Sequence, residues 1–184
     1  YHTNSALALG GVCICFAGVG FSVGGIDIQS EEFKNVSGFH SVVFIIDKER
    51  SWGNSLDLDF VVSLLRPIIF NRKVCVLGNS MGGFLAIIFA EQLKAEACVA
   101  FSPQYSIDSS IVEDRRWSSY RSKITRIKVK SIAQYLGSDT KYFLFFGNQR
   151  VEQEHYKMLP AWPTLSAFVV KDQDHNLAAA LRDK

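Results

Sequence analysis

The chain has 184 residues, of which 48% are hydrophobic, and this length and apolar content suit one domain with a sizeable core. The formal net charge of +2 is too small to imply a general affinity for nucleic acid. The cysteines lie in apolar runs without a CxxC pair, which indicates reduced core thiols in a cytoplasmic protein and argues against a disulfide framework or a zinc site. They are Cys13, Cys15, Cys75 and Cys98.

The segment "GGVCICFAGVGFSVGG" at residues 10–25 is the most membrane-like part of the chain. Its apolar run is too short, and its glycines are too many, for a membrane span. No signal-peptide pattern precedes it, although the first residue is Tyr1 and the sequence leaves open whether a leader was removed. We therefore expect no membrane span.

Six short apolar runs follow one another along the chain without alternating polar residues. A continuous apolar strand is typical of a parallel sheet that is buried on both faces. The runs are residues 12–16, 41–46, 73–77, 97–101, 142–146 and 165–170.

The stretches between these runs have helical features. Residues 31–39 open with acidic residues, as a helix N-terminus prefers, and residues 55–70 begin with a serine that can cap a helix of apolar period. Residues 82–97 predict a strong amphipathic helix. The alternation predicts a doubly wound α/β sheet in a single domain over residues 1–184, with helices on both faces. The long polar segment 102–140 interrupts the pattern and is interpreted as a lid or cap insertion.

The sequence Gly78-Asn79-Ser80-Met81-Gly82 has the pattern G-x-S-x-G between an apolar run and a predicted helix. In a nucleophile elbow the serine occupies a tight, strained turn, and the residues two before and two after it are small because the two backbones nearly touch. A glycine-rich turn with an incidental serine is the plain alternative. A phosphate-binding loop is a poor one, because no GxxxxGK[ST] lysine follows.

Three segments together resemble the α/β-hydrolase family, which includes carboxylesterases and carbon–carbon bond hydrolases. They are "GNSMGG" at the elbow, "VVFIIDKERSWGNS" at residues 42–55 and "DQDHNLAAAL" at residues 172–181. The resemblance implies that the six runs are the central and late strands of that fold. It also implies that Ser80 is a nucleophile that needs neither cofactor nor metal.

His175 is the expected base that activates the serine. It follows the last apolar run and precedes a short helix, so it should lie at the same sheet edge as Ser80, and the family also places its histidine last. The alternative is a surface-loop histidine. His2 lies near the chain end, His40 at the opposite sheet edge, and His155 in a helix as a surface or packing residue. None of the four pairs with a second ligand at metal spacing.

The acid of a catalytic triad is the least regular feature. The family often has aspartate where this chain has Arg150, three residues after Gly147. Many relatives also carry an acid three residues before a histidine in the following helix, and by this resemblance Glu152 is the favoured acid. An ordinary acid at a helix N-terminus is the alternative for Glu152. Glu154, Asp172 and Asp174 remain as other candidates for the triad acid.

An oxyanion hole requires two N–H donors near the nucleophile. Met81, which follows the serine, is the first, and Val19 or the adjacent Gly18 is the second, on a glycine-rich loop that lacks the family's His-Gly. Phe21, with Val23, is expected to line the substrate pocket or pack beneath it.

Residues 115–130 contain seven Lys or Arg and no acid, together with Trp117 and Tyr120. Such a run is usually a solvated face. Above the nucleophile, however, it would suit an anionic or carbohydrate-bearing acyl substrate. Nucleic acid is a poor alternative, because no recognised module surrounds the run.

The sequence thus predicts a serine hydrolase that cleaves an ester or related acyl bond in a small-molecule or glycan-linked substrate. A second hypothesis comes from the irregular acid and the missing His-Gly. It is a catalytically degenerate relative that binds or scaffolds in a polysaccharide or secretion assembly.

Overall fold

The computed structural model describes residues 10–23, 26–38 and 41–182. Each of the six apolar runs forms a strand of one parallel sheet, with strand order β4-β1-β5-β6-β7-β8. The strands are β1 (Val12–Phe16), β2 (Phe21–Val23), β3 (Ile26–Ile28), β4 (Ser41–Ile45), β5 (Val74–Asn79), β6 (Ala97–Phe101), β7 (Lys141–Gly147) and β8 (Leu165–Val170). The predicted doubly wound α/β fold is confirmed. The winding reverses between β1 and β5, which is where open α/β sheets bind ligands.

Strands β2 and β3 form a separate antiparallel hairpin that the apolar pattern did not predict. It follows Gly20, whose φ is +80°. A Cβ atom on Gly20 would lie 1.9 Å from the Ile28 carbonyl oxygen, so only glycine fits this close approach.

The helices are α1 (Leu58–Ile69), α2 (Met81–Gln92), α3 (Ser118–Arg121), α4 (Arg150–Lys157) and α5 (Leu177–Arg182). Asp57, and not the predicted serine, caps α1, because its carboxylate accepts the Phe60 N–H at 3.0 Å. The helix predicted over residues 31–39 is only a 3₁₀ turn, Lys34–Gly38. Phe33 just before it has a φ of 62°, which interrupts a regular helix.

Helix α2 is buried on all sides, so the prediction of an amphipathic helix is wrong. It packs on β1, β5 and β6 and also contacts α1 and a 3₁₀ turn, Ile132–Tyr135, of the long insertion. Phe89 of α2 stacks on Phe16 of β1 with ring centroids 5.2 Å apart. A helix surrounded by protein needs apolar residues all round.

The apolar runs predicted strands that are buried on both faces, and this prediction does not hold for every strand. Of the six strands of the parallel sheet, only β1 is buried along its whole length, whereas β5 and β6 alternate between buried and half-buried positions. On the face away from α2, the segment around Phe33 and Val36 packs near β1 and β4. Phe168 of β8 remains 44% exposed. The apolar residues of the edge strand therefore reflect strand propensity as well as burial.

Residues 102–140 lie between β6 and β7 and contain α3 and the 3₁₀ turn but no strand. The segment docks through Asn54, which is 4% exposed and whose side-chain oxygen accepts the N–H groups of Lys128 and Val129 at 2.6 and 3.0 Å. Within the described part of the chain, no helix has both the length and the apolar character needed to cross a membrane.

Candidate active site

Ser80 stands at the turn between β5 and α2 with φ 55° and ψ −121°. A Cβ atom on Gly78 would lie 2.0 Å from the Gly82 carbonyl oxygen, and a Cβ atom on Gly82 would lie 2.0 Å from the Phe16 carbonyl oxygen. The two backbones therefore touch as the elbow pattern predicts. A non-glycine residue in this conformation stores about 1–3 kcal/mol of strain.

Ser80, His175 and Glu152 form one continuous hydrogen-bonded chain. The Ser80 Oγ lies 2.7 Å from His175 Nε2, and His175 Nδ1 lies 2.8 Å from Glu152 Oε1. The loop between β8 and α5 carries the histidine, and the first turn of α4 carries the glutamate. Ser80 is 3% exposed and Glu152 is 1% exposed, whereas the side chain of His175 is 17% exposed. This geometry has the order of a serine–histidine–acid triad.

Glu152 is ionised despite its burial. Burial raises the pKa of its carboxyl, but hydrogen bonds from His175 and Arg116 outweigh this effect and hold the pKa below its usual value. Its second oxygen, Oε2, has no hydrogen-bond partner among the described residues.

Two of the other acids considered for the triad, Glu154 and Asp174, have different partners. Glu154 pairs with Arg150 at 3.1 Å on the exposed side of α4. Asp174 accepts the N–H of Asn176 at 2.7 Å. The structure thus brings Glu152, and neither of these carboxylates, to the imidazole.

His155 is a buried packing residue, only 1% exposed. Its Nδ1 accepts the Tyr105 N–H at 3.0 Å, so Nε2 carries the proton and donates it to Asp114 Oδ2 at 3.1 Å. His2 and His40 lie outside the described residues.

Gly18 and Val19 lie in the loop after β1, directly beside the nucleophile. A Cβ atom on Gly18 would lie 3.8 Å from the Ser80 Cβ. The Gly18 N–H donates to Glu32 Oε1 at 2.9 Å and is therefore already engaged. Burial of Glu32 raises its pKa, although this hydrogen bond opposes the rise.

Side chains hold the peptide groups on both sides of Val19. Gln29 Nε2 donates to the Gly18 carbonyl oxygen at 2.9 Å, and Arg50 Nε donates to the Val19 carbonyl oxygen at 2.9 Å. Because a trans peptide N–H points opposite to its C=O, the first bond also sets the direction of the Val19 N–H. Met81 is the first residue of α2, where helix N–H groups lack intrahelical acceptors.

Trp117 of the insertion lies close to the triad, with its ring centroid 5.3 Å from that of His175. Tyr120 contacts two cations, with Arg50 Cζ 5.5 Å and Lys123 Nζ 5.7 Å from its ring centroid. Phe21 lies on the β2–β3 hairpin and is 59% exposed. The side chain of Val23 lies outside the described residues.

Two residues that contact the site, the buried Gln104 and the partly exposed Arg116, were not predicted from the sequence. Gln104 Nε2 donates to Ser80 Oγ at 3.3 Å, and Gln104 Oε1 accepts the Trp52 indole N–H at 2.8 Å. Gln104 follows β6 by three residues, so its position after a parallel strand was the only signal that could have placed it at this edge. Arg116 was noted only as part of a basic run.

No metal centre is evident over the part of the chain that the structure describes, because no three His, Cys, Asp or Glu side chains there are placed to hold an ion.

Comparisons of structure show that the chain has the α/β-hydrolase fold. The capsule O-acetyltransferase of Neisseria meningitidis serogroup A matches with a TM-score of 0.68 and 15% identity, over 94% of this chain and 84% of that one. An alpha/beta superfamily hydrolase from Oenococcus oeni PSU-1 gives 0.61 and 14%, over 95% and 88%. The esterase Pf2001 of Pyrococcus furiosus gives 0.57 and 16%, over 95% and 79%. In sequence, no family model and no curated protein matches the chain.

Proposed function

We propose that the chain is a serine-dependent enzyme that cleaves an ester or related acyl bond. The observation that carries this proposal is the continuous hydrogen-bonded chain of Ser80, His175 and Glu152, with links of 2.7 and 2.8 Å. A catalytically degenerate binding protein would not need to keep these two hydrogen bonds at a buried, strained turn.

In the proposed reaction, Ser80 Oγ attacks the acyl carbonyl carbon while His175 Nε2 takes the hydroxyl proton. Glu152 holds Nδ1–H and stabilises the imidazolium that forms. The tetrahedral oxyanion accepts hydrogen bonds from the N–H groups of Met81 and Val19. His175 then returns its proton to the leaving oxygen, and an acyl-serine remains. A water or an acceptor hydroxyl, deprotonated by His175, then attacks the acyl carbonyl carbon. The bond to Ser80 Oγ breaks as His175 returns the proton to that oxygen, and no step needs a metal or a cofactor.

Transfer of the acyl group to an acceptor hydroxyl is the second candidate outcome. It is favoured by the likeness in fold to an O-acetyltransferase, which at 15% identity concerns the fold alone. The site is also sheltered from water, since Ser80 is 3% exposed and Trp117 lies against the histidine. We propose a small-molecule or glycan-linked acyl substrate that contacts Trp117 and Tyr120.

The test is covalent labelling of Ser80 by a fluorophosphonate probe, followed by hydrolysis of p-nitrophenyl acetate. Ser80→Ala should abolish both signals without changing the fold, because the nucleophile is lost. Ser102→Ala is the matched control. Ser102 is equally buried, at 1%, and its hydroxyl has no hydrogen-bond partner among the described residues. This variant should label like the wild type.

The outcome separates the candidates. Glycerol or a soluble glycan is added as an acceptor. If the acceptor becomes acetylated and acetate is not released, the result supports transfer over hydrolysis. A folded wild-type protein that neither labels nor turns over the ester would contradict the enzyme proposal and favour the binding or scaffolding hypothesis.

A further inference from the structure

Arg116 reaches from the insertion to the acid of the proposed triad. Its Nη1 donates to Glu152 Oε1 at 2.6 Å, and this is the same oxygen that accepts from His175 Nδ1 at 2.8 Å. The Glu152 side chain is 1% exposed and that of Arg116 is 28% exposed. One carboxylate oxygen is thus shared between the imidazole and a permanent cation.

Asp114 holds Arg116 in this position through a two-point contact. Arg116 Nε donates to Asp114 Oδ1 at 3.0 Å, and Nη2 donates to Oδ2 at 2.7 Å. Asp114 Oδ2 also accepts from His155 Nε2 at 3.1 Å. Burial raises the pKa of Asp114, but His155 and Arg116 outweigh it and hold the pKa well below the usual range. A forked guanidinium anchored on both sides has little freedom to leave the glutamate.

The charges of this cluster have a consequence for the imidazole. Two carboxylates, Asp114 and Glu152, face one guanidinium. Arg116 therefore offsets much of the negative potential that Glu152 presents to His175. An imidazole beside a carboxylate that is already paired gains less from protonation than one beside a free carboxylate.

We propose that Arg116 is a positioning residue, which fixes Glu152 Oε1 against His175 and sets the basicity of the imidazole, so that the insertion completes the site. This inference rests on the proposed function, in which His175 is the base. Through Arg116, the insertion takes part in positioning Glu152. Among the described residues, the titratable or charged groups of this network are Glu152 and His155 from α4 and Arg116 and Asp114 from the insertion. Glu32 lies at the Gly18 side of Ser80, and Asp172 and Asp174 belong to the loop that carries His175.

The direction of the expected effect follows from the charge. Without Arg116, the imidazolium faces an unshared buried carboxylate, which favours the protonated ring. A base must be neutral to act, and the acidic limb of the rate profile should therefore move to higher pH. A merely structural role would lower the rate without moving that limb.

The experiment compares Arg116→Met with the neighbouring control Arg115→Met. Arg115 is exposed and pairs only with Glu113 among the described residues, so its variant should match the wild type. The rate constant for fluorophosphonate labelling of Ser80 is measured from about pH 5 to about pH 9, the range in which histidine titrates. Arg116→Lys, which keeps the charge, should restore the wild-type position of the limb at a reduced rate. Arg116→Gln replaces the methionine variant if that variant does not fold.

A second readout is independent of activity. The His175 ring is titrated by NMR in protein labelled at histidine, and its midpoint should rise in the neutral variants and not in Arg115→Met. Unchanged midpoints and an unmoved limb in a folded neutral variant would overturn the inference. If the probe does not label the wild-type protein at all, the proposed function fails. If the probe labels the wild type but the pH profile of the Arg116 variant is not shifted, only the role proposed for Arg116 fails.

Discussion

Glu152 combines three properties that are rarely found on one surface-helix residue. It is 1% exposed, it lies in the first turn of α4, and one of its oxygens serves both His175 and Arg116. A buried carboxylate is tolerated only when it is paired and hydrogen-bonded. The residue is therefore specialised by its partners and not by its position in the helix.

Glu152→Gln should lower turnover of p-nitrophenyl acetate by about 10⁴-fold, because the amide cannot fix the tautomer or stabilise the imidazolium. Steady-state kinetics at neutral pH, with circular dichroism to check the fold, provide the measurement. Glu154→Gln removes an exposed partner of Arg150 on the same helix and should keep the wild-type rate. Equal rates in the two variants would show that Glu152 does not orient the base.

At the scale of elements, the contact between β1, β5 and α2 positions the nucleophile. The start of α2 touches both strands through backbone atoms, at Gly78 and at the Phe16 carbonyl. Close backbone packing of this kind directs the N-terminus of α2 towards the sheet edge where Ser80 stands. Any added side chain there must separate the helix from the sheet.

Gly82→Ala should destabilise the fold by about 1–3 kcal/mol and remove activity, because its Cβ would overlap the Phe16 carbonyl oxygen. Chemical denaturation and probe labelling measure the two effects. Gly38→Ala is the matched control, since a Cβ atom there meets nothing within 4 Å. A Gly82→Ala protein that is as stable and as reactive as the control would contradict the packing argument.

At the scale of the whole molecule, the site is assembled from distant parts of the chain. The loop after β1 contributes Val19, the turn after β5 contributes Ser80, and the segments after β7 and β8 contribute Glu152 and His175. In a parallel sheet these carboxyl ends all meet at one edge. The insertion places Trp117 against His175 at this edge and joins the network through Asp114 and Arg116.

The buried charges also make the stability of the molecule depend on pH. The pKa values of Asp114 and Glu152 are lowered in the folded protein. Their stabilising contribution is therefore complete above their ordinary values and is lost as the pH falls through the folded values. Glu32 has a raised pKa and acts in the opposite direction, since its protonation favours the fold at low pH.

The free energy of unfolding should therefore decrease as the pH is lowered below about 4. Asp114→Asn should make this decrease smaller, because it removes a carboxyl whose pKa lies well below the usual range in the folded protein. Urea denaturation at a series of pH values measures it. Asp139→Asn, at an exposed aspartate, should keep the wild-type slope. If the free energy of unfolding of Asp114→Asn depended on pH as strongly as that of the wild type, the stabilising role given to Asp114 would be contradicted.

Local constraints in the sequence determined the strands, the tight turn at Ser80 and the position of His175. The spacing of Gly78 and Gly82 around Ser80 is a steric requirement that acts over five residues, and the apolar runs mark each strand of the sheet. His175 was predictable because the end of a parallel strand is a place that chain order defines. Short-range steric constraints and hydrophobic periodicity depend only on residues that are close together in the sequence, so they can be recognised without the structure.

Only the tertiary structure decided how the charged residues pair. Glu152 and Glu154 differ by two positions in α4, yet one is buried against the histidine and the other pairs with an exposed arginine. Arg116 in a run of cations and Gln104 in a loop carry no local mark of the partners they contact. Such pairings depend on distances between segments far apart in the chain and on the burial of both groups, and these quantities exist only once the sheet and the insertion have packed together.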